Sequence, residues 1–291
     1  MEIERVGVVG CGLMGRGIAQ VCAQSGRETV VSEINDDLLA AGISSIEKFL
    51  SKGVEKGKVS EEEMGATLDN LTGTTDLADF AACDLVIEAA TENRETKLEI
   101  FRSLDEICSP GTILASNTSS LNITEMAVAT ARPDRVVGLH FFNPVPLMKL
   151  VEVVSTMLVD STVLDEVRAF GEGLGKVVVV AKDRTGFIVN RLLVPYLLAA
   201  VRVLDEGLAT MEDIDQAMKL GCGYPMGPFT LLDLVGIDTT YYIANIMYEE
   251  FREPQFAPPP LLRRMVLAGR HGRKTGAGFY DYSAGNQGES R

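Results

Sequence analysis

The chain has 291 residues, 46% of them apolar, enough for one large or two ordinary domains with a sizeable buried core. It carries 41 acidic residues against 27 basic ones, a net charge of −14, which argues against nucleic acid or an anionic membrane surface as a partner. Any polyanionic ligand must then meet a local basic patch. In chain order, the first predicted strand, 5–9, is a short apolar run. It leads straight into Gly10-Cys-Gly12-Leu13-Met14-Gly15, and a helix-compatible segment follows over 14–25. In a strand–turn–helix context, Gly10 permits the tight turn, Gly12 lets a pyrophosphate approach the backbone, and Gly15 lets helix and strand pack closely. The helix N-terminus, opening at Leu13 and Met14, offers N–H groups and a partial positive charge to phosphates. The second strand, 28–32, ends at Glu33, 18 residues past Gly15. A carboxylate there accepts hydrogen bonds from the adenosine ribose and repels a 2′-phosphate, so the expected cofactor is NAD rather than NADP.

Further strands are expected over 84–88, 112–115, 135–139, 149–155 and 176–181, and helices over 36–57, 61–66, 94–108, 122–130 and 161–173. This alternation reads as an α/β domain, a Rossmann-type, mostly parallel sheet with helices on both faces. Past Gly186 the pattern changes to periodic apolar helices over 187–206, 211–220, 228–251 and 259–268, with no strand alternation before the short Gly278-Phe-Tyr280 tail. The expected division is a dinucleotide-binding domain over 1–184 and an all-helical C-terminal domain over 185–291. The apolar stretch from Leu192 to Leu204 is interrupted by Pro195 and Arg202 and is too short and broken to span a bilayer. The first strand begins within a few residues of Met1, so no signal or transit peptide is expected. The five scattered cysteines contain no CxxC pair. Reduced thiols in a cytoplasmic protein, with no metal centre and no disulfide framework, are the simplest reading.

Two histidines occur, and His140 directly follows the strand at 135–139, which places it on the ligand-binding edge of the sheet. A histidine titrates near neutrality, which suits it to moving a hydroxyl proton. Glu152 lies in an otherwise apolar strand, where burial is costly without a partner. It reads either as the group that fixes the His140 tautomer or as a surface residue on an alternating strand. Ser119 sits in a polar cluster after the strand at 112–115. Its hydroxyl reads equally as a holder of a substrate oxygen or, with Ser120, as a helix N-cap. Asn190, on the first helix of the second domain, reads either as facing an interdomain cleft or as an interhelical hydrogen bond. Lys48, Lys52 and Lys56 repeat at i, i+4 and form one basic stripe in an acidic chain, suited to phosphates or simply a solvated face.

Several stretches together resemble the L-3-hydroxyacyl-CoA dehydrogenases, most of all their short-chain 3-hydroxybutyryl-CoA members. They are Val9-Gly-Cys-Gly-Leu-Met-Gly15, Ala115-Ser-Asn-Thr-Ser-Ser-Leu121, Gly138-Leu-His-Phe-Phe-Asn-Pro-Val145, Asp183-Arg-Thr-Gly-Phe-Ile-Val-Asn-Arg191, Gly223-Tyr-Pro-Met-Gly-Pro-Phe229 and Lys274-Thr-Gly-Ala-Gly-Phe-Tyr280. The resemblance covers nearly the whole chain. It implies NAD-dependent oxidation of a (S)-3-hydroxyacyl-CoA to the 3-ketoacyl-CoA, and the reverse reduction. His140 would be the acid/base and Glu152 its orienting partner. Ser119 and Asn190 would contact the reacting oxygen and the thioester region. Glu92, Lys97, Asn143 and Lys274 match cofactor-contacting positions, and Lys52 and Lys56 match positions that contact the coenzyme A moiety. A homodimer formed through the helical domain is also implied. One departure is Glu33, where many members carry Asp. The competing readings are a sister NAD dehydrogenase acting on a free hydroxy (sugar) acid and a non-catalytic NAD-binding protein. The latter would have no need to keep Ser119, His140, Glu152 and Asn190 together.

Overall fold

In the computed structural model, which describes residues 2–283, the apolar runs of the first half become strands of one sheet. They are β1 (Arg5–Val9), β2 (Glu28–Ser32), β3 (Leu71–Thr74), β4 (Leu85–Glu88), β5 (Ile113–Ser116), β6 (Val136–Phe141), β7 (Leu150–Ser155) and β8 (Val177–Lys182). Their order is β3-β2-β1-β4-β5-β6-β7-β8. All neighbours are parallel except β6 and β7, which are antiparallel. The loop joining β6 to β7 contains no helix, and a parallel return needs a crossover of about a dozen residues or more. Central strands are buried along their length, as a sheet covered on both faces requires, with Val6, Val8, Leu85, Ile87, Ile113 and Val137 fully inside. The edge strand β3 was not expected. Its Leu-Thr-Gly-Thr sequence is half-exposed and shows no apolar alternation.

Helices α1 (Leu13–Gln24), α2 (Asp36–Glu55), α3 (Glu61–Asp69), α4 (Arg94–Ile107), α5 (Ile123–Val128) and α6 (Ser161–Gly173) surround this sheet. Strand β1 lies between β2 and β4, so the chain's path reverses direction across the sheet at this point. The carboxyl ends of β1, β4, β5 and β6 all open on one edge, and ligands of such sheets bind in the crevice at this switch point.

The chain divides into two compact units, Met1–Arg184 and Thr185–Arg291. The second holds α7 (Val189–Asp205), α8 (Met211–Cys222), α9 (Pro228–Val235), α10 (Ile237–Phe251) and α11 (Pro260–Leu267) around a core that includes Leu197, Phe229, Leu232, Met247 and Phe256. The single helix expected over 228–251 is in fact two. Gly236, at φ 106°, donates its N–H to Leu232 and turns the chain through a backbone region that favours glycine. Asp233 on α9 then accepts hydrogen bonds from the N–H groups of Phe279 and Tyr280 and ties the terminal segment to this unit. Among the described residues no helix is long and apolar enough to cross a membrane.

Candidate active site

The Gly-rich turn leaves β1 at the switch point. Gly10 has φ 94° and donates its N–H to Ser32 O at 2.9 Å. A Cβ on Gly15 would fall 1.8 Å from the Gly10 carbonyl oxygen, so α1 crosses the turn too closely for any side chain. Gly12 is different. Its φ of −69° is ordinary, and a Cβ there would meet no atom within 4 Å, so its missing side chain leaves open space over the start of α1. Leu13 and Met14 open that helix, which has no side-chain cap and no acidic residue in its first turn. By contrast, α2 to α6 are capped by the side chains of Asn35, Ser60, Asn93, Asn122 and Asp160. Glu33 accepts from the N–H of Cys11 (2.9 Å) and of Ile34 (3.0 Å), which fixes its carboxylate beside the turn while leaving further lone pairs. An open glycine, an uncapped helix start and a fixed carboxylate fit the pyrophosphate and ribose of a dinucleotide.

His140 and Glu152 occupy directly opposed positions of the antiparallel β6–β7 pair. The register alone brings their side chains together, and His140 Nδ1 lies 2.7 Å from Glu152 Oε2. Glu152 is fully buried and His140 is 6% exposed, so the surface reading of Glu152 does not hold. A ring whose Nδ1–H donates to the carboxylate carries its lone pair at Nε2 when neutral. Phe142 packs on the ring, with centroids 4.5 Å apart. The neighbouring strand tip is tied in as well, because the Phe141 N–H donates to Asn117 Oδ1 at 2.9 Å.

Between these two centres lies a buried polar cluster of which the sequence marked only a part. Glu88, at the tip of β4, is fully buried, and Lys97 on α4 is 1% exposed. Lys97 Nζ donates to both Glu88 oxygens, at 2.7 and 2.8 Å, and lies 3.4 Å from Glu92 Oε2. Glu88 also accepts from Ser116 Oγ (2.7 Å) and the Ala90 N–H (2.8 Å). Glu92 Oε1 accepts from Thr118 Oγ1 (2.6 Å), from Ser119 N (3.0 Å) and Oγ (3.3 Å), and from Ser120 Oγ (3.1 Å). Burial pushes the Glu92 carboxyl up, but Lys97 and these hydrogen bonds outweigh it and hold the group below its ordinary range. Ser119 and Ser120 cap no helix, since Asn122 caps α5. Glu88 could have been found from sequence by the argument applied to Glu152, an acid inside an apolar strand that needs a buried partner.

Asn143 is exposed on the loop after β6, next to a cis bond to Pro144. Lys52 lies in the last turn of α2 and Lys56 is its C-cap. Both are exposed, and among the described residues neither has an ion-pair partner. In the helical unit, Asn190 is the second residue of α7 and is half-buried, and Lys274 Nζ is 2.7 Å from Asp238. Asp238, which no sequence pattern singles out, has its carboxyl pushed up by burial, but Lys274, the Thr239 N–H and His271 together outweigh this, for a net lowering. All five cysteines are free. Burial pushes Cys11 and Cys108 up to about 11 and Cys22 and Cys83 up to about 12, which makes these thiols poor nucleophiles.

Residues 5–184 match the family model described as 3-hydroxyacyl-CoA dehydrogenase, NAD binding domain, and residues 186–282 match that of the 3-hydroxyacyl-CoA dehydrogenase C-terminal domain. The chain is 52% identical over 282 residues to a 3-hydroxybutyryl-CoA dehydrogenase of Mycobacterium tuberculosis, covering 96% of this chain and 99% of that one. It is 48% identical over 287 residues to the human mitochondrial hydroxyacyl-coenzyme A dehydrogenase, covering 96% and 91%. Its fold is similar to the crystal structure of (S)-3-hydroxybutyryl-CoA dehydrogenase PaaH1 from Ralstonia eutropha, with a TM-score of 0.93, 44% identity and coverage of 97% and 99%.

Proposed function

The chain belongs to the 3-hydroxyacyl-CoA dehydrogenase family, and from that premise we propose how its residues share the reaction. It is an NAD-dependent oxidoreductase acting on CH–OH, which oxidises (S)-3-hydroxyacyl-CoA to 3-ketoacyl-CoA and catalyses the reverse reduction. The observation that carries the assignment of roles is the 2.7 Å contact of His140 Nδ1 with a fully buried Glu152 on the cofactor edge of the sheet. With Nδ1 committed, His140 takes the 3-hydroxyl proton at Nε2, and Glu152 stabilises the imidazolium that forms. NAD, held at the Gly-rich turn, would supply the acceptor for the C3 hydride. In the reduction, His140 returns its proton to the oxygen. Ser119 and Asn190 are assigned to hydrogen-bond that oxygen and hold the geometry.

Gly10, Gly12, Leu13, Met14, Gly15 and Glu33 hold the pyrophosphate and adenosine ribose, which the open space at Gly12 and the fixed Glu33 support. Glu92, Lys97, Asn143 and Lys274 contribute further to the cofactor site on the strength of the family resemblance. Lys52 and Lys56 meet the phosphates of coenzyme A through local positive charge. The short-chain names of the relatives support a 3-hydroxybutyryl substrate. A cytoplasmic homodimer completes the reading. Its support is the family resemblance and the apolar side chains the helical unit leaves exposed, among them Leu192, Leu208, Leu220 and Leu267. Light scattering that finds a monomer at micromolar concentration would remove the dimer.

The decisive experiment follows NADH consumption with acetoacetyl-CoA beside acetoacetate and NADPH controls. Turnover with acetoacetyl-CoA and NADH alone is expected. Turnover of the free keto acid alone would end the role given to Lys52 and Lys56.

A further inference from the structure

Glu88, Ser116, Thr118, Glu92 and Lys97 form a closed loop of polar contacts behind the tips of β4 and β5. Ser116 Oγ donates to Glu88 and accepts the Thr118 N–H at 3.2 Å. Thr118 Oγ1 donates to Glu92, whose other oxygen lies 3.4 Å from Lys97 Nζ. Lys97 returns to both oxygens of Glu88. A buried ammonium is costly unless it is paired, and here one carboxylate is fully buried while the other keeps 29% of its side chain exposed. The inner acid therefore fixes where the cation sits. The cation then fixes the outer acid, and the outer acid holds Ser119 by its backbone N–H at 3.0 Å and its hydroxyl at 3.3 Å.

We propose that Glu88 is a positioning residue for the dehydrogenase reaction. It closes the ring that holds the Ser119 backbone still while leaving the Ser119 hydroxyl, the more weakly held of the two, to turn from Glu92 to the substrate oxygen. The inference rests on the role given above to Ser119. It explains why Glu88 is saturated by three donor groups although it lies at a strand tip on the ligand edge. Such a group has no bonding capacity to spare for a ligand and acts through its neighbours.

A kinetic cycle tests this, with kcat, the KM for acetoacetyl-CoA, NADH affinity by fluorescence and Tm measured for each variant. Glu88→Gln should lower kcat by about 10- to 100-fold, because small displacements of reacting groups are penalised steeply. Ser119→Ala should also lower kcat. Adding Glu88→Gln to Ser119→Ala should then change kcat by less than about threefold, since the two act through one hydroxyl. A merely structural Glu88 would lower kcat by the same factor in both backgrounds, and that result overturns the proposal. So does a Glu88→Gln enzyme with wild-type kcat. If Glu88→Gln does not fold, Glu92→Gln opens the same ring at its part-exposed member. Run through the same cycle, it supports the proposal if its loss disappears in the Ser119→Ala background and overturns it if the losses multiply. If Ser119→Ala keeps its kcat, the role of Ser119 itself falls and the inference falls with it. Loss of kcat in Ser119→Ala combined with multiplying losses removes Glu88 alone.

Discussion

Lys97 with Glu88 and His140 with Glu152 are both buried nitrogen–carboxylate couples near the tips of one sheet, and they differ in the chemistry of the nitrogen. Lys97 is gripped by two oxygens of an acid that also takes a hydroxyl and a backbone N–H. His140 meets its acid through Nδ1, across a strand pair, and an imidazole is the side-chain type suited to taking and returning a proton. The first couple, whose acid is saturated by its donors, is suited to serve as a fastener; the second, built on an imidazole, is suited to acid/base work.

The sharpest way to break this contrast is to remove the imidazole. His140→Gln should lower kcat/KM by about 10²- to 10⁴-fold, with NADH affinity by fluorescence preserved. Glu152→Gln should follow, with a loss on the order of 10²-fold and Tm near wild type, because the neutral amide can still accept from Nδ1 but stabilises the imidazolium less. Near-wild-type turnover in either variant would erase the distinction. The cofactor turn extends the comparison to pure backbone. Gly12→Ala should weaken NADH binding about tenfold, equivalent to ~1.4 kcal/mol, with unchanged Tm, since the new methyl meets only open space. Gly15→Ala has no such room and should fail in stability first. The smallest effect belongs to the exposed cations. Lys52→Ala with Lys56→Ala should raise the KM for acetoacetyl-CoA about fivefold, leave that for NADH unchanged, and lose its effect in high salt.

The main outline was legible because it is written in short-range patterns. The apolar run into Gly10-x-Gly12-x-x-Gly15 predicts β1 and the start of α1, and the apolar strand around Glu152 offers a buried acid in need of a partner as one of two readings, which burial decides. What escaped depends on long-range neighbours. β3 owes its existence to pairing with β2, from Thr29 against Leu71 to Ser32 against Thr74, and nothing in Leu-Thr-Gly-Thr signals it. The break at Gly236 is hidden because apolar periodicity runs through it, and only the backbone angle marks the turn. Glu92 entered through resemblance alone. Its role as the acceptor of Thr118, Ser119 and Ser120 appears only once β4 and β5 are paired.

The antiparallel register of β6 and β7 also bears on the order in which the enzyme assembles. His140 and Glu152 are separated by 12 residues, so their contact closes a short hairpin, whereas the Val9–Glu88 pairing beside the cofactor turn joins distant parts of the chain. Chain-closure entropy favours the short loop by roughly 1.7 kcal/mol. The proton-transfer pair is thus encoded as a local element that can form ahead of the crevice it serves, and pulse-labelled amide exchange during refolding should find β6–β7 protected no later than β1–β4.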